Sequence, residues 1–221
     1  NLSERLRLER GSLFQSPETP RDAETVLYFP GCGAGLFQAS IGMAAVDLLL
    51  RAGVRVAIPP NPLCCGYPLA VSGLAEAFAA NRERNLAALR DFLDAAALRG
   101  FSPATLLTAC GTCREALENY DLATAKGPLA RQDVLQFLMT RLPAADSPDD
   151  RILYHAACHA EWTGIAAAKA PEAYRQGLAS LTGSRVDLSP GCCGESGLGA
   201  LTSPEIHNKI LITKHISTVS Q

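Results

Sequence analysis

The sequence has no strong charge imbalance and no long apolar run. Its 20 Lys and Arg residues face 22 Asp and Glu residues, a near balance that argues against a dedicated nucleic-acid surface. No apolar run approaches the roughly 18 residues that span a bilayer. Residues 1–10 are charged and lack the hydrophobic stretch of an export signal. These absences predict a cytoplasmic chain, with membrane association at most peripheral and through partners at the inner face.

Aromatic residues are also scarce, at 6%, but apolar residues make up 48% of the 221 residues. That fraction is enough for a hydrophobic core, and the charged fraction of 19% is too low for a disordered chain. The length suits one compact domain or two small ones that share an interface.

Eight cysteines stand out against this background. Without an export signal they are difficult to interpret as structural disulfides, because cytosolic thiols are kept reduced. Cys64–Cys65 and Cys192–Cys193 are adjacent pairs, and Cys110 lies three residues before Cys113. Such clustering concentrates thiolates at a few points, which favours metal or redox chemistry.

The chain contains an internal repeat. Each copy has a short apolar strand, a single cysteine, a helical stretch, a second strand and then Cys-Cys-Gly. The single and paired cysteines are separated by 31 residues (33–63) in the first copy and by 33 (159–191) in the second. The corresponding cysteines are Cys32, Cys64 and Cys65 in the first copy, and Cys158, Cys192 and Cys193 in the second.

The repeat predicts the domain organisation. Residues 1–23 form a connecting segment, and the first copy covers residues 24–142. The polar, proline-bearing residues 143–150 form a linker. The second copy covers residues 151–221 and is incomplete.

Hydrophobic periodicity predicts alternating strands and helices in the first copy. Apolar residues at Ile41, Ala44, Ala45, Leu48 and Leu49 indicate an amphipathic helix. Further predicted elements are strands over 54–58 and 104–108, and helices over 74–98, 114–120 and 129–142. This order implies parallel strands with right-handed crossovers. The predicted fold class is α/β, with two tandem, pseudo-repeated Rossmann-like βαβ units that have parallel sheets.

The topology predicts where the cysteines meet. Loops at the carboxyl ends of parallel strands gather at one edge of a sheet. Each cysteine group of the first copy follows a different strand, so we expect five thiols at one rim: Cys32, Cys64, Cys65, Cys110 and Cys113. By the same argument Cys158, Cys192 and Cys193 gather in the second copy. Gly31, Gly66, Gly191 and Gly194 permit positive φ and close approach of the backbone.

Soft thiolates select iron–sulfur clusters, zinc or copper(I). Zinc sites are usually built from paired CxxC or Cys/His hooks on short loops. Ligands from several strand ends therefore favour a multi-iron cluster. Cys110 and Cys113 form the first copy's only CxxC, between a strand and a helix, where a thioredoxin-type dithiol would also lie.

Four further polar residues have open or unremarkable roles. His155 and His159 flank Cys158, and they either hydrogen-bond to sulfur, take part in proton transfer, or are ordinary loop residues. Asn81 and Asn85 lie one turn apart on the long helix, where we expect an exposed surface.

The pattern Cys-x31-Cys-Cys followed by CxxC resembles the cysteine-rich, or CCG, domain of iron–sulfur oxidoreductases. That family includes the catalytic subunit of heterodisulfide reductase and the iron–sulfur subunits of glycolate and lactate oxidases. The resemblance implies a [4Fe–4S]-type cluster bound by Cys32, Cys64, Cys65, Cys110 and Cys113. It implies a second, uncertain cluster site at Cys158, Cys192 and Cys193.

The implied function is that of an oxidoreductase subunit or domain. It would pass electrons from a flavin-containing 2-hydroxy-acid dehydrogenase, of the glycolate or lactate type, to a quinone or another carrier. Three alternatives stay open. They are reduction of a heterodisulfide at the cluster, a metal-free dithiol oxidoreductase using Cys110 and Cys113, and a non-catalytic module that binds zinc.

The sequence departs from the family at both ends. No CxxC follows Cys193, so either the second site is degenerate or, as we expect, the chain is cut short of those ligands. No cysteine precedes Cys32, so residues 1–23 resemble the remains of a connecting segment in a carboxyl-terminal fragment of a longer oxidoreductase, with a ferredoxin-type module as a possible partner.

Overall fold

The computed structural model describes residues 4–8, 11–60, 63–145, 151–157, 159, 165–189 and 203–219. The strands are β1 (Glu4–Leu8), β2 (Gly11–Gln15), β3 (Thr25–Phe29), β4 (Arg55–Ile58), β5 (Thr105–Thr108), β6 (Ala123–Thr124), β7 (Gly127–Pro128), β8 (Ala130–Asp133), β9 (Ile152–Tyr154) and β10 (Val186–Leu188). The helices are α1 (Ala39–Arg51), α2 (Tyr67–Val71), α3 (Ala75–Ala97), α4 (Gly111–Leu117), α5 (Val134–Met139), α6 (Ala170–Thr182) and α7 (Pro204–Val219). A π-helical turn (Gly33–Phe37) precedes α1, and a 3-10 turn (Ala167–Lys169) precedes α6.

A six-stranded sheet organises the first copy. Its order is β1-β2-β4-β3-β5-β8, and the four strands from β4 to β8 are parallel. The hairpin of β1 and β2 adds to one edge in antiparallel orientation. In the second copy β9 pairs with β10 in parallel. The predicted α/β class with parallel strands is confirmed, whereas the tandem repeat stays a prediction.

Apolar side chains cover both faces of the parallel strands. Leu27 and Leu106 face one layer, in which Phe92 of α3 packs against them. Val26 and Leu107 alternate to the opposite face, which packs on α1 and α5. All five residues of β3 are buried, as expected for the centre of a parallel sheet covered on both sides.

The buried face of α1 differs in part from the predicted one. Ala45 and Leu49 are buried as expected, but Ile41 is 49% exposed and Leu48 is 39% exposed. Gly42 lies on the buried face instead. An added Cβ at Gly42 would meet a carbonyl oxygen of the preceding π-turn at 2.7 Å. Close packing of that turn on α1 therefore rotates the apolar face away from Ile41.

The predicted helix over 129–142 is wrong in its first part. Residues 130–133 form β8, in which Thr108 of β5 is paired with Asp133. The carboxylate of Asp133 then accepts hydrogen bonds from the backbone N–H groups of Leu135 (2.8 Å) and Gln136 (3.2 Å). This N-cap begins α5 at Val134, five residues later than the periodicity indicated. Pairing with the sheet overrides the helix propensity of Leu129–Gln132.

The predicted connecting segment adds strands to the sheet, which the sequence pattern did not indicate. Arg55, only 4% exposed, anchors part of this segment. Its guanidinium donates to the Gln15 side chain (3.0 Å) and to the carbonyls of Arg21 (2.5 Å) and Gly100 (2.9 Å). It also lies 3.7 Å from the centre of the Phe101 ring. Among the described residues, no helix is long and apolar enough to cross a membrane.

A candidate thiolate site at the carboxyl edge of the sheet

Three adjacent parallel strands deliver the first-copy cysteines to one edge. Cys32 lies just beyond β3, Cys64 and Cys65 follow β4, and Cys110 follows β5. Cys113 lies in the first turn of α4. All five are free thiols, with Cys65 and Cys113 buried and the others half-buried. The structure thus brings together the five residues that the sequence selected.

Cys113 stands at the centre of a hydrogen-bonded group of three thiols. It hydrogen-bonds to Cys110 and to Cys65, and this raises its own pKa far above the usual range. The same bond lowers the pKa of Cys110 to about 5, against the opposing effect of burial. Its bond to Cys65 lowers the pKa of that thiol to about 7. Cys113 is therefore the last of the three thiols to ionise, and its single S–H donates to one of the two neighbouring thiolates at a time.

The remaining two thiols belong to the same electrostatic group. Burial raises the pKa of Cys64, and nearby Cys65 and Cys32 raise it further. A negative charge on one thiolate thus opposes the ionisation of its neighbours. A cationic metal group bound between the sulfurs would offset this repulsion.

Backbone N–H groups also point at the sulfurs. Gly66 donates to Cys64, and Tyr67 donates to Cys65. The N–H groups of Thr112 and Cys113 donate to Cys110. Hydrogen bonds of this kind hold thiolate ligands in place and tune the reduction potential of iron–sulfur clusters.

Two asparagines of α3 fix the peptide that carries the paired cysteines. The side-chain amides of Asn81 (3.1 Å) and Asn85 (2.6 Å) both donate to the carbonyl of Cys64. Asn85 also donates to the hydroxyl of Tyr120 (3.0 Å), which in turn donates to the carbonyl of Cys65 (3.2 Å).

The prediction that these asparagines are exposed is wrong, since Asn85 is only 4% exposed and Asn81 is half-buried. A signal was available in the sequence. Asn85 lies four and seven residues before Leu89 and Phe92, on the apolar stripe of the helix.

Gly31 and Gly66 have the positive φ expected beside the cysteines, at +64° and +87°. A Cβ on Gly31 would lie 2.8 Å from the sulfur of Cys113, and one on Gly66 would lie 2.7 Å from the amide of Asn81. Only glycine adopts a positive φ readily and also leaves room for these atoms to approach the backbone so closely. Gly191 and Gly194 lie outside the described residues.

A residue of the second copy reaches this site. The Nδ1 of His159 lies 2.9 Å from a carboxylate oxygen of Glu115, and its Nε2 lies 3.4 Å from the hydroxyl of Tyr67. The Tyr67 and His159 rings meet edge to face at 5.5 Å. These contacts place His159 at the rim of the first-copy site, which was not among the roles left open for it from the sequence.

A cavity of about 220 Å³ adjoins the Cys110 loop, between the two copies. Its polar lining includes Asp133, Tyr154 and Tyr174. Burial raises the pKa of Asp133, and burial, with the nearby Asp133 carboxyl as a smaller cause, raises the pKa of Tyr174. The cavity is small, and its lining is more apolar than polar.

Within the described ranges, no three His, Cys, Asp or Glu side chains form a group arranged to hold one metal ion. The five thiols at this edge are soft donors of the kind that hold iron–sulfur clusters. Cys158, Cys192 and Cys193 lie outside the described residues, so the second set of predicted ligands has no structural account.

Comparison with known proteins gives two kinds of relative. The chain is 25% identical over 191 residues to an uncharacterized iron–sulfur protein of Methanocaldococcus jannaschii, covering 84% of this chain and 35% of that protein. It is 24% identical over 208 residues to lactate utilization protein A of Oceanobacillus iheyensis, covering 87% and 80%. The same-named protein of Geobacillus kaustophilus is 32% identical over 148 residues, covering 61% and 57%.

The chain spans less than half the length of the iron–sulfur proteins that it matches. No solved structure gives a significant match. Residues 26–118 match the family described as the cysteine-rich domain, CCG. That range contains all five thiols of the site, and the match confirms the resemblance read from the cysteine spacing.

Proposed function

We propose that this chain is an electron-transferring iron–sulfur oxidoreductase subunit or domain. Its first-copy cysteines, Cys32, Cys64, Cys65, Cys110 and Cys113, would bind a [4Fe–4S]-type cluster. The observation that carries the proposal is the convergence of five free thiols on one sheet edge. The names of the relatives, iron–sulfur protein and lactate utilization protein A, support the same cofactor and a redox role.

The chain's own residues prepare the thiols to act as ligands. Metal binding needs thiolates, and the lowered pKa values of Cys110 and Cys65 supply two of them near neutral pH. The peptide N–H groups of Gly66 and Tyr67 stabilise negative charge on Cys64 and Cys65. Asn85 and Tyr120 hold the carbonyls of the same pair. When bound, a cluster supplies one-electron transfer.

The surface around the cysteine loops suits a protein partner. Leu36 and Phe37, four and five residues after Cys32, are 55% and 81% exposed. Val71 and Leu74 are 64% and 53% exposed, shortly after the paired cysteines. Residues 25–46 and 56–75 contain no charged side chain. An uncharged apolar rim of this kind is typical of an interaction surface.

We further propose that the partners belong to a lactate-type oxidation system. The electron donor would be a flavin-containing 2-hydroxy-acid dehydrogenase, and the acceptor a quinone or another carrier, with a ferredoxin-type module as a possible link. Cys158, Cys192 and Cys193 of the second copy are proposed as ligands of a second, incomplete cluster site.

The test is anaerobic reconstitution with iron and sulfide, followed by iron and acid-labile sulfide analysis. We expect about four irons per chain in the first-copy site. Cys64→Ser should lose this iron, whereas Cys192→Ser, a matched change in the second copy, should retain it. Absence of iron from the unmodified chain, with zinc or free thiols instead, contradicts the proposal.

A second candidate is a metal-free dithiol oxidoreductase that uses Cys110 and Cys113. The pKa of about 5 at Cys110 favours it, because a stabilised thiolate in a CxxC motif is the attacking group of such enzymes. The chelator-treated chain would then reduce insulin disulfides catalytically, and Cys110→Ser would abolish the turnover. An inactive chelator-treated chain excludes this candidate. Reduction of a heterodisulfide, by contrast, would require the cluster-loaded chain.

A further inference from the structure

His159 connects two cysteine-bearing loops of the first copy, although it belongs to the second. Tyr67 begins α2, two residues after Cys65, and Glu115 lies in α4, two residues after Cys113. Because His159 contacts both side chains, it bridges the loops that follow β4 and β5.

The hydrogen-bond directions follow from the chemistry of the ring. A nitrogen that faces a carboxylate carries the proton, so Nδ1–H donates to Glu115. In the neutral ring Nε2 then has a lone pair that accepts from the hydroxyl of Tyr67. One imidazole thus serves both partners at once.

Tyr67 passes this constraint to a sulfur. Its side chain is held by His159, and its own backbone N–H donates to Cys65. A side chain fixed at one end restricts the peptide from which it projects, and an N–H···S bond shifts the potential of a thiolate-bound cluster. His159 of the second copy is therefore linked to the sulfur of Cys65 through one intermediate residue, Tyr67.

The backbone of His159 also packs closely against the Cys110 loop. A Cβ on Gly111 would overlap the carbonyl oxygen of His159. Gly111 has no positive φ, so its backbone conformation does not require glycine. Because Gly111 has no side chain, the backbone of His159 can pack directly against the residue that follows Cys110.

We propose that His159 is a positioning residue through which the second copy sets the properties of the first-copy thiolate site. This inference rests on the proposed binding of a cluster by that site. His159 and Glu115 are 35% and 49% exposed, and a pair this exposed contributes little to the stability of the fold. The role of His159 is therefore expressed in the site and not in the fold.

The test compares anaerobically reconstituted variants of the whole chain by iron affinity and by an EPR-monitored redox titration. In His159→Ala the N–H···S bond from Tyr67 is less populated, so the midpoint potential shifts to more negative values. Iron affinity falls about tenfold, the usual effect of removing a residue that orients a ligand. Gly111→Ala displaces the His159 backbone and shifts both quantities in the same direction. His207→Ala, a matched histidine truncation on α7, leaves both unchanged.

Two finer variants separate the contacts. His159→Gln places an amide nitrogen near the position of Nε2 and keeps a contact to Tyr67, so it restores most of the potential. His159→Asn reaches only toward Glu115 and restores less. Tyr67→Phe shifts the potential on its own but adds nothing to His159→Ala, because both act along one path.

The outcomes are distinguishable. An unmodified chain that binds no iron overturns the proposed function and this inference together. Iron binding with the same potential in His159→Ala as in the unmodified chain overturns only the role of His159. Far-UV circular dichroism identifies any variant that fails to fold. If His159→Ala is such a variant, the midpoint potential and iron affinity of Gly111→Ala test the role of His159 instead.

Discussion

Asn85→Ala should weaken both the fold and the thiolate site. Asn85 is buried and donates two hydrogen bonds, at 2.6 Å to the Cys64 carbonyl and at 3.0 Å to the Tyr120 hydroxyl. At about 1 kcal/mol for each net hydrogen bond, with a further contribution from the space left behind, the loss is about 2–3 kcal/mol. For a chain of this size that corresponds to a fall in Tm of about 5–10 °C.

The assay is thermal and urea unfolding of the metal-free chain, with iron retention measured in parallel. Asn81→Ala is the matched control, because Asn81 is half-buried and donates one hydrogen bond of 3.1 Å to the same carbonyl. It should lower stability by about 1 kcal/mol or less. Tyr120→Phe combined with Asn85→Ala should be less than additive, since the two side chains share a bond. If Asn85→Ala unfolds within about 0.5 kcal/mol of the unmodified chain, the burial argument is refuted.

Three further predictions concern separate residues. Gly66→Ala should destabilise the chain by about 2 kcal/mol or more and reduce iron uptake, because φ is +87° and the methyl group meets Asn81; wild-type iron content would contradict this. In the metal-free chain, iodoacetamide should alkylate Cys110 with a half-maximal rate near pH 5. The pKa of Cys110 in the folded chain lies below its unfolded value. The thiolate's stabilising effect is therefore complete above the unfolded pKa and is lost as pH falls through about 5. An alkylation midpoint near pH 8.5 would refute the assignment. Arg55→Met removes three hydrogen bonds and should lower the free energy of unfolding in urea by about 3 kcal/mol; an unchanged midpoint would show that they contribute nothing.

Much of the first-copy fold follows from local sequence signals. The long helix predicted over 74–98 is observed as Ala75–Ala97, and the strand predicted over 104–108 as Thr105–Thr108. These elements have a strong period and clear ends, with glycine or proline at their limits. The meeting of the five cysteines required only one further rule, that loops at the carboxyl ends of parallel strands share an edge.

The features that sequence reasoning missed depend on contacts between distant residues. Strand β8 exists because β5 offers a free edge, and nothing local in Ala130–Asp133 favours a strand over a helix. The edge hairpin likewise needs β4 as its partner. The contact of His159 with Tyr67 joins residues 92 positions apart, so no spacing rule could indicate it.

The hydrogen bonds of Asn85 and Tyr120 have a consequence for protein design. The donors that hold the Cys64 and Cys65 carbonyls lie 21 and 55 positions away in sequence, on separate elements. Grafting the cysteine spacing alone onto another parallel sheet would therefore reproduce the ligands without the supports that orient them. A transplanted site needs the helix that carries Asn81 and Asn85, and the tyrosine behind it, as part of the smallest transferable unit.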